Sequence, residues 1–420
     1  MRFASSRSRR RYATACLGAV VVIAGATACT EDSSSEGGSS SAAAESAVAA
    51  APSGTFAGNQ ASGTPVKVGL INPEGGPAIS LPEDRETAEA VVKYANENLA
   101  GIGGRPIELV ECKSKEDPAS ATACANQMVE AGVVGVVVTN TAQGDVMVPI
   151  LTGAKIPYTS YQGAGQTELT APDYSYSWTG GFPAVLSGMA KYTAGSGMKD
   201  VTLYVTDSAA AINGAKAMGV PAFQAAGINL NVVAIPLGNP DASPQVSAGL
   251  KNNPQAVGIV GDPTMCTSVL KALGTVGTDA EKMVIGPCLD PSVMEAASAE
   301  LNGSKVFNTA FGSGTDPESL TYQAIMAKYA PSVSPDGTAV TAYQSMLGFV
   351  RTAGTVKGDV TAASVNSAIR AAANVPLPVG DGLAMSCNGK AVPGLPMACS
   401  AGALVGTVDN GQITDVKQLN

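Results

Sequence analysis

Cysteines and acidic side chains are the residues of this chain best able to do chemistry, because histidine is absent from all 420 positions. Without an imidazole there is no histidine general base, no Ser-His-Asp or Cys-His nucleophile and no histidine metal ligand. Cys16 and Cys29 lie in the first 29 residues, while Cys112, Cys124, Cys266, Cys288, Cys387 and Cys399 form three sequence-local pairs further on. No pair has the C-x-x-C spacing of a zinc knuckle, so no metal site is expected. A G-x-S-x-G elbow and a P-loop are also missing, and Gly101-Ile102-Gly103-Gly104 follows a helical stretch rather than a strand, which is the wrong context for a dinucleotide fingerprint. Neither an enzyme nor a cofactor is expected.

What the cysteines do depends on the compartment, and the leader speaks to that. Arg2, Arg7, Arg9, Arg10 and Arg11 precede an acid-free apolar run from Leu17 to Ala24, and Ala26, Thr27 and Ala28 lead into Cys29. This resembles a bacterial lipoprotein export signal, in which cleavage before Cys29 leaves its thiol and amine to carry acyl chains. Ser8-Arg9-Arg10-Arg11-Tyr12 also resembles a twin-arginine signal, so the export route stays open. The run from Leu17 to Ala28 is shorter than the ~20 residues a bilayer-spanning helix needs. The expected location is the outer face of the cell membrane, anchored through lipid on Cys29. In that setting the default for the six body cysteines is disulfides, and nearest neighbours are taken as partners: Cys112 with Cys124, Cys266 with Cys288, Cys387 with Cys399.

The chain has 25 Lys plus Arg against 34 Asp plus Glu, and losing the five leader arginines takes the balance to about −14. Nucleic acid is therefore a poor partner. Thr30 to Thr64 is built of Ser, Ala, Gly and a few acids, too little apolar surface to offset the entropy of ordering, so a disordered tether is expected. A coil of ~35 residues would hold the body roughly 30–35 Å from its anchor.

The body, Pro65 to Asn420, is longer than one comfortable core and reads as two lobes. Apolar strand-like runs at 66–71, 107–111, 133–138, 156–160, 201–206, 231–235, 256–260, 283–285 and 305–308 alternate with helical stretches, among them 84–99, 117–131, 183–194, 212–226 and 264–276. Continuous apolar strands separated by helices imply parallel sheets covered on both faces, so the fold class is α/β with two doubly wound, Rossmann-like lobes. Helices then follow one another at 317–329, 338–352 and 362–373, and Asn410-Gly411 marks a closing hairpin. The expected division is an export signal at 1–28, a tether at 29–64, a first lobe at 65–179 with about 312–360, and a second at 180–311 with about 361–420.

At several points the chain resembles the type I periplasmic solute-binding proteins, specifically the branched-chain amino-acid (Leu/Ile/Val-binding) group serving ABC importers. The carriers are Val66-Lys67-Val68-Gly69-Leu70-Ile71 with Gly76-Pro77, then Gly103-Gly104-Arg105-Pro106-Ile107-Glu108-Leu109 and Asp117-Pro118. Ile156-Pro157, Gly163-Ala164 with Glu168-Leu169-Thr170, and Val284-Ile285-Gly286-Pro287 continue the match. The resemblance implies a two-lobed receptor, joined by three crossovers, that closes on a small solute and delivers it to an ABC permease. A monomer is expected. The same fold also serves as a ligand sensor or cell-envelope interaction lipoprotein without transport, which is the alternative.

In parallel sheets ligands gather at the carboxyl ends of strands. The candidate ligand contacts are accordingly Asn72, Glu74, Leu81, Thr141, Ala142, Gly163, Ala164, Asp207, Ala211, Asp262 and Asp290. The resemblance places Thr141 and Ala142 in the family's carboxylate-contacting loop, and Gly163 and Ala164 in the loop that meets a ligand α-carboxylate. Three departures are visible: Gly165 where amino-acid binders usually carry a hydroxyl, Ala209-Ala210-Ala211 where they place a tyrosine, and Cys288 where they often have an acid. The expected ligand is thus a small polar or amphiphilic molecule (amino acid, amide or related) rather than Leu, Ile or Val by default.

Overall fold

The computed structural model describes residues 36–77 and 79–419. The export signal and Cys29 lie outside the described residues, and among those described no helix is long and apolar enough to cross a membrane. Part of the expected tether differs from a coil. Alanine-rich Glu36–Ala49 forms helix α1, as the strongest helix-forming residue favours. Residues 52–62 then lie along the next helix, α2 (Pro82–Asn98). Ala61 N–H donates to the Asn96 carbonyl at 2.7 Å, Gly58 N–H to Asn98 Oδ1 at 3.2 Å, and Asn59 bridges Leu99. Phe56 supplies the apolar anchor, 6.1 Å from the Tyr94 ring and 6.4 Å from that of Tyr329. One aromatic and a few backbone bonds suffice to dock a segment whose average composition argues for disorder.

The apolar runs of the first half become one parallel sheet. β1 (Val66–Pro73) lies between β2 (Ile107–Ser114) and β3 (Val136–Val138), and β4 (Tyr158–Ser160) and β5 (Ser175–Ser177) complete the order β2-β1-β3-β4-β5. Ile71 faces Cys112 on one side and Val138 on the other. Side chains alternate between faces: Val68 and Leu70 pack with Ala88 and Val91 of α2, while Ile71 packs with Ala125 and Met128 of α3 (Pro118–Ala131). Gly69 is needed on this second face, since a Cβ there would meet Met128 Sδ at 2.5 Å. Asp117 starts α3 by accepting the Ser120 N–H, Pro118 occupies its first turn, and Gly132 ends it at φ 63°. Three elements of this half escaped the sequence pattern. α4 (Gly144–Gly153) contains Pro149 and ends on glycine, yet buries Met147, Val148 and Leu151. β5 is the polar run Ser-Tyr-Ser, recognisable only by its pairing with β4; the short α5 (Gln166–Thr170) precedes it.

After α6 (Gly181–Gly195) a second sheet begins with β6 (Asp200–Thr206). It continues through β7 (Asn229–Ile235), β8 (Ala256–Val260), β9 (Glu281–Ile285) and β10 (Lys305–Asn308), in spatial order β10-β9-β8-β6-β7, all parallel. Val201, Leu203 and Val205 pack with Phe223 and α6, and Tyr204 faces the opposite side. The helix expected at 212–226 is broken into α7 (Ala209–Gly214), a π-helical turn at Ala215–Gly219, and α8 (Val220–Ala225). Pro221, which cannot donate a backbone hydrogen bond, accounts for the interruption. α9 (Ser243–Gly249), α10 (Pro263–Val276) and α11 (Pro291–Leu301) connect the later strands.

The tail follows with α12 (Pro317–Tyr329), α13 (Ala339–Ala353) and α14 (Ala362–Ala371), a two-stranded ladder of β11 (Val375–Pro376) and β12 (Ala384–Met385), and the hairpin β13 (Ala403–Asp409) and β14 (Gln412–Leu419). β13 adds antiparallel to β10. Asn410 and Gly411 turn the hairpin with φ 49° and 78°, the paired positive values a two-residue turn requires. α13 is buried almost along its whole length beside the first sheet. α14 differs from the expected second-lobe assignment of residues 361–420: Val365 packs beside Gly135, and Asn366 accepts the Tyr176 hydroxyl at 2.7 Å, so it covers the first sheet. The chain thus passes between the sheets after β5, after β10 and before β13.

Candidate functional site

The strand ends carry the candidate contacts, and most of their polar groups are already engaged inside the protein. At the end of β1 the fully buried Asn72 donates through Nδ2 to the Leu81 carbonyl at 2.8 Å and accepts the Thr139 hydroxyl at 2.6 Å. This joins the ends of β1 and β3 to the start of α2. Leu81 contributes backbone, its N–H reaching the Pro73 carbonyl. Glu74 is held by Arg85 at 3.0 Å and Lys113 at 2.6 Å. Burial alone would raise its carboxyl, but the two cations hold it below the usual range.

Thr141 and Ala142, at the end of β3, come together on a carboxylate. The Thr141 hydroxyl donates to Glu116 Oε1 at 2.9 Å and the Ala142 N–H to Oε2 at 2.9 Å. At the end of β4 the same thing happens a second time. Ala164 N–H donates to Glu168 Oε2 at 2.9 Å, with Gly165 N–H at 3.4 Å, and the Tyr158 hydroxyl donates to Oε1 at 2.8 Å. Glu168 is 1% exposed, and burial raises its carboxyl despite these donors. Gly163 adjoins the Met397 side chain, so the loop also meets the tail. Asp145 completes the set by accepting the N–H groups of Gln166 and Glu168.

On the second sheet the pattern is sparser. Asp262 N-caps α10 by accepting the Met265 N–H at 3.0 Å, and Asp290 caps α11 through the Ser292 N–H at 2.9 Å. The Ala211 N–H is taken by the Ser208 hydroxyl oxygen. Asp207 is exposed at the end of β6, and its side chain has no hydrogen-bond or ion-pair partner among the described residues. Cys266 and Cys288 are bonded across the start of α10 and the turn after β9, with Cα atoms 5.3 Å apart. Cys112 with Cys124 and Cys387 with Cys399 give the other two bonds, which is the nearest-neighbour connectivity.

Sequence reasoning did not single out Glu116, Glu168 or Asp145 as partners of these loops. Glu168 was visible only as part of a motif, and Glu116 as the residue before a helix cap. Asp84 was missed as well. It is fully buried in the first turn of α2, no ordinary hydrogen bond reaches either oxygen, and burial pushes its carboxyl up to about 7, opposed in part by Thr338 and aided by Glu83. The Tyr161 hydroxyl on the neighbouring loop is raised by burial and then by the charges of Asp84 and Glu168. Among the described residues no group of three Cys, Asp or Glu could hold a metal ion. Two surface depressions are present, one beside Val148, Thr152 and Thr170, next to α5, which carries Glu168, and one beside Leu383, Ala391 and Ser400.

No curated protein matches the sequence. Solved structures do match the fold. A putative branched-chain amino acid ABC transporter protein from Rhodospirillum rubrum is 18% identical with TM-score 0.69, covering 83% of this chain and 99% of its own. A branched-chain amino acid transporter substrate-binding protein from Streptococcus pneumoniae, in complex with isoleucine, is 18% identical with TM-score 0.64 over 84% and 99%. A fatty acid ABC transporter substrate-binding protein from Thermomonospora curvata is 14% identical with TM-score 0.65 over 86% and 93%. At these identities the likeness establishes the architecture of two doubly wound sheets. The family model described as "Periplasmic binding protein" matches residues 65–399, from the first residue before β1 to the last disulfide. The chain belongs to the periplasmic binding protein family.

Proposed function

We propose that this protein is the extracytoplasmic solute receptor of an ABC importer, closing two lobes on one small molecule and handing it to a membrane permease without chemical change. The observation that carries the reading is the repeated strand order. β2-β1-β3-β4-β5 and β7-β6-β8-β9-β10 each reverse direction once, beside their first strand, and such switch points are where open α/β sheets bind ligands. Three passages of chain between the sheets supply the hinge around which closure occurs. The first lobe is taken as 65–179 with about 312–400 and the second as 180–311 with about 401–420, the tail boundary following α14 and β13.

The relatives include one bound to isoleucine and one named for fatty acids, so a polar or amphiphilic solute suits the architecture. Asn72, Glu74, Leu81, Thr141, Ala142, Gly163, Ala164, Asp207, Ala211, Asp262 and Asp290 remain the proposed lining, with lipid on Cys29 as the anchor and a monomer as the working form. The test is mass spectrometry of solute released from the native, unrefolded protein, followed by thermal-shift and small-angle scattering titrations with that solute. A higher midpoint and a smaller radius of gyration are expected. No released solute, together with no shift or contraction across amino acids, amides, ureas and fatty acids, would overturn the reading.

A further inference from the structure

The Thr141–Ala142 loop is built to hold a carboxylate, and the carboxylate it holds is the protein's own. Gln143 N–H donates to Thr141 Oγ1 at 2.8 Å, which leaves the hydroxyl proton free to point at Glu116 Oε1. Ala142 N–H takes the other oxygen, and Gln143 Nε2 reaches the Glu116 backbone carbonyl at 3.4 Å. Glu116 sits at φ 58°, in the left-handed region that non-glycine residues rarely adopt, so its contacts have to hold it there. The next loop repeats the arrangement with Glu168 on Ala164 and Gly165.

Resting on the receptor reading, we propose that Glu116 is a built-in occupant of an anion subsite and that it sets ligand class. The cleft takes a neutral or cationic solute, and a solute with a free carboxylate has to displace Glu116. The charges around the strand ends agree. Arg85 and Lys113 are both engaged by Glu74, while the exposed Lys115 has no ion-pair partner among the described residues. At the strand ends of the second sheet, the loops at 207–211, 261–265 and 286–290 contain Asp207, Asp262 and Asp290 and no Lys or Arg. An anionic solute would find the loop donors, Arg85 and Lys113 taken at the first sheet, and carboxylates without an ion-pair partner among the described residues at the second.

The test uses acetate as the probe and the full chain labelled with nitrogen-15. In Glu116→Ala the Ala142 amide resonance shifts saturably with acetate, and in the native protein the same titration needs at least tenfold more acetate. Glu116→Gln, which keeps the side-chain volume, gives an intermediate response and guards against a folding defect in the alanine variant. Equal response in native and variant proteins overturns the proposal, because Glu116 then does not block the loop. No response in either folded variant also overturns it, because the loop is then no anion subsite. A free carboxylate on the solute released from the native protein would overturn the ligand class. Absence of any released solute counts against the receptor reading instead, and the acetate result still decides whether Glu116 fills the subsite.

Discussion

The indole of Trp178 packs directly against the backbone of Gly348. A Cβ at Gly348 would fall 2.7 Å from both Cδ1 and Nε1 of the ring, and Nε1–H donates to the Ser345 carbonyl one turn earlier at 2.9 Å. Both residues are buried, at the point where the chain leaves the first sheet and α13 crosses beneath it. Gly348→Ala is expected to cost about 1–3 kcal/mol, the usual cost of overpacking, because the ring is pinned by its hydrogen bond and cannot retreat. The urea midpoint should fall accordingly. An unchanged midpoint would mean that the helix shifts without penalty.

Asp84 makes stability depend on pH in an unusual direction for a carboxylate. Its folded-state value of about 7 lies above the 3.8 of the free group, so the native state binds the extra proton between those limits. Its contribution is therefore fully present below about pH 4 and is lost as pH rises through 7. Asp84→Asn should leave stability unchanged at pH 4 and raise it at pH 8 by on the order of 3 kcal/mol. Urea unfolding at the two pH values checks this, and equal effects at both would sink it.

Glu168 collects the Tyr158 hydroxyl and the Ala164 N–H in a buried pocket. Glu168→Ala strands those donors, and a loss of about 2–4 kcal/mol is expected. Tyr158→Phe removes a single donor and should cost about 1 kcal/mol. Thermal midpoints in that order support the network.

Phe56 holds residues 52–62 against α2 and α12, with Lys328 Nζ 4.3 Å from its ring centroid. Phe56→Ala should release the strap, lowering body stability by only about 1 kcal/mol while exposing the segment to proteases. Limited proteolysis should show faster cleavage between residues 50 and 62, and an unchanged cleavage rate would refute the anchoring role.

The Cys266–Cys288 bond closes a loop spanning 22 positions at the second-sheet strand ends. The double variant Cys266→Ser, Cys288→Ser is expected to lose about 2–4 kcal/mol. Calorimetry beside the Cys112–Cys124 double variant would show whether the bond matters more for stability or for solute affinity.

Much of the architecture was determined by the sequence alone, because local patterns act over a few residues. Uninterrupted apolar runs such as Ala256 to Val260 specify buried parallel strands, Asn410-Gly411 specifies a tight hairpin, and cysteines 12 and 22 positions apart find their nearest neighbours. Elements without such a signature went unseen: β5 owes its existence to β4, and α4 forms around Pro149 because burial outweighs propensity. The site was legible only as a set of strand ends. Whether Thr141 is free, and whether Val365 and Asn366 cover the first sheet or the second, depends on which distant residue the parallel register brings alongside. Glu116 and Thr141 lie 25 residues apart on different strand-end loops, and only the packed sheet puts a carboxylate within hydrogen-bonding distance of that hydroxyl.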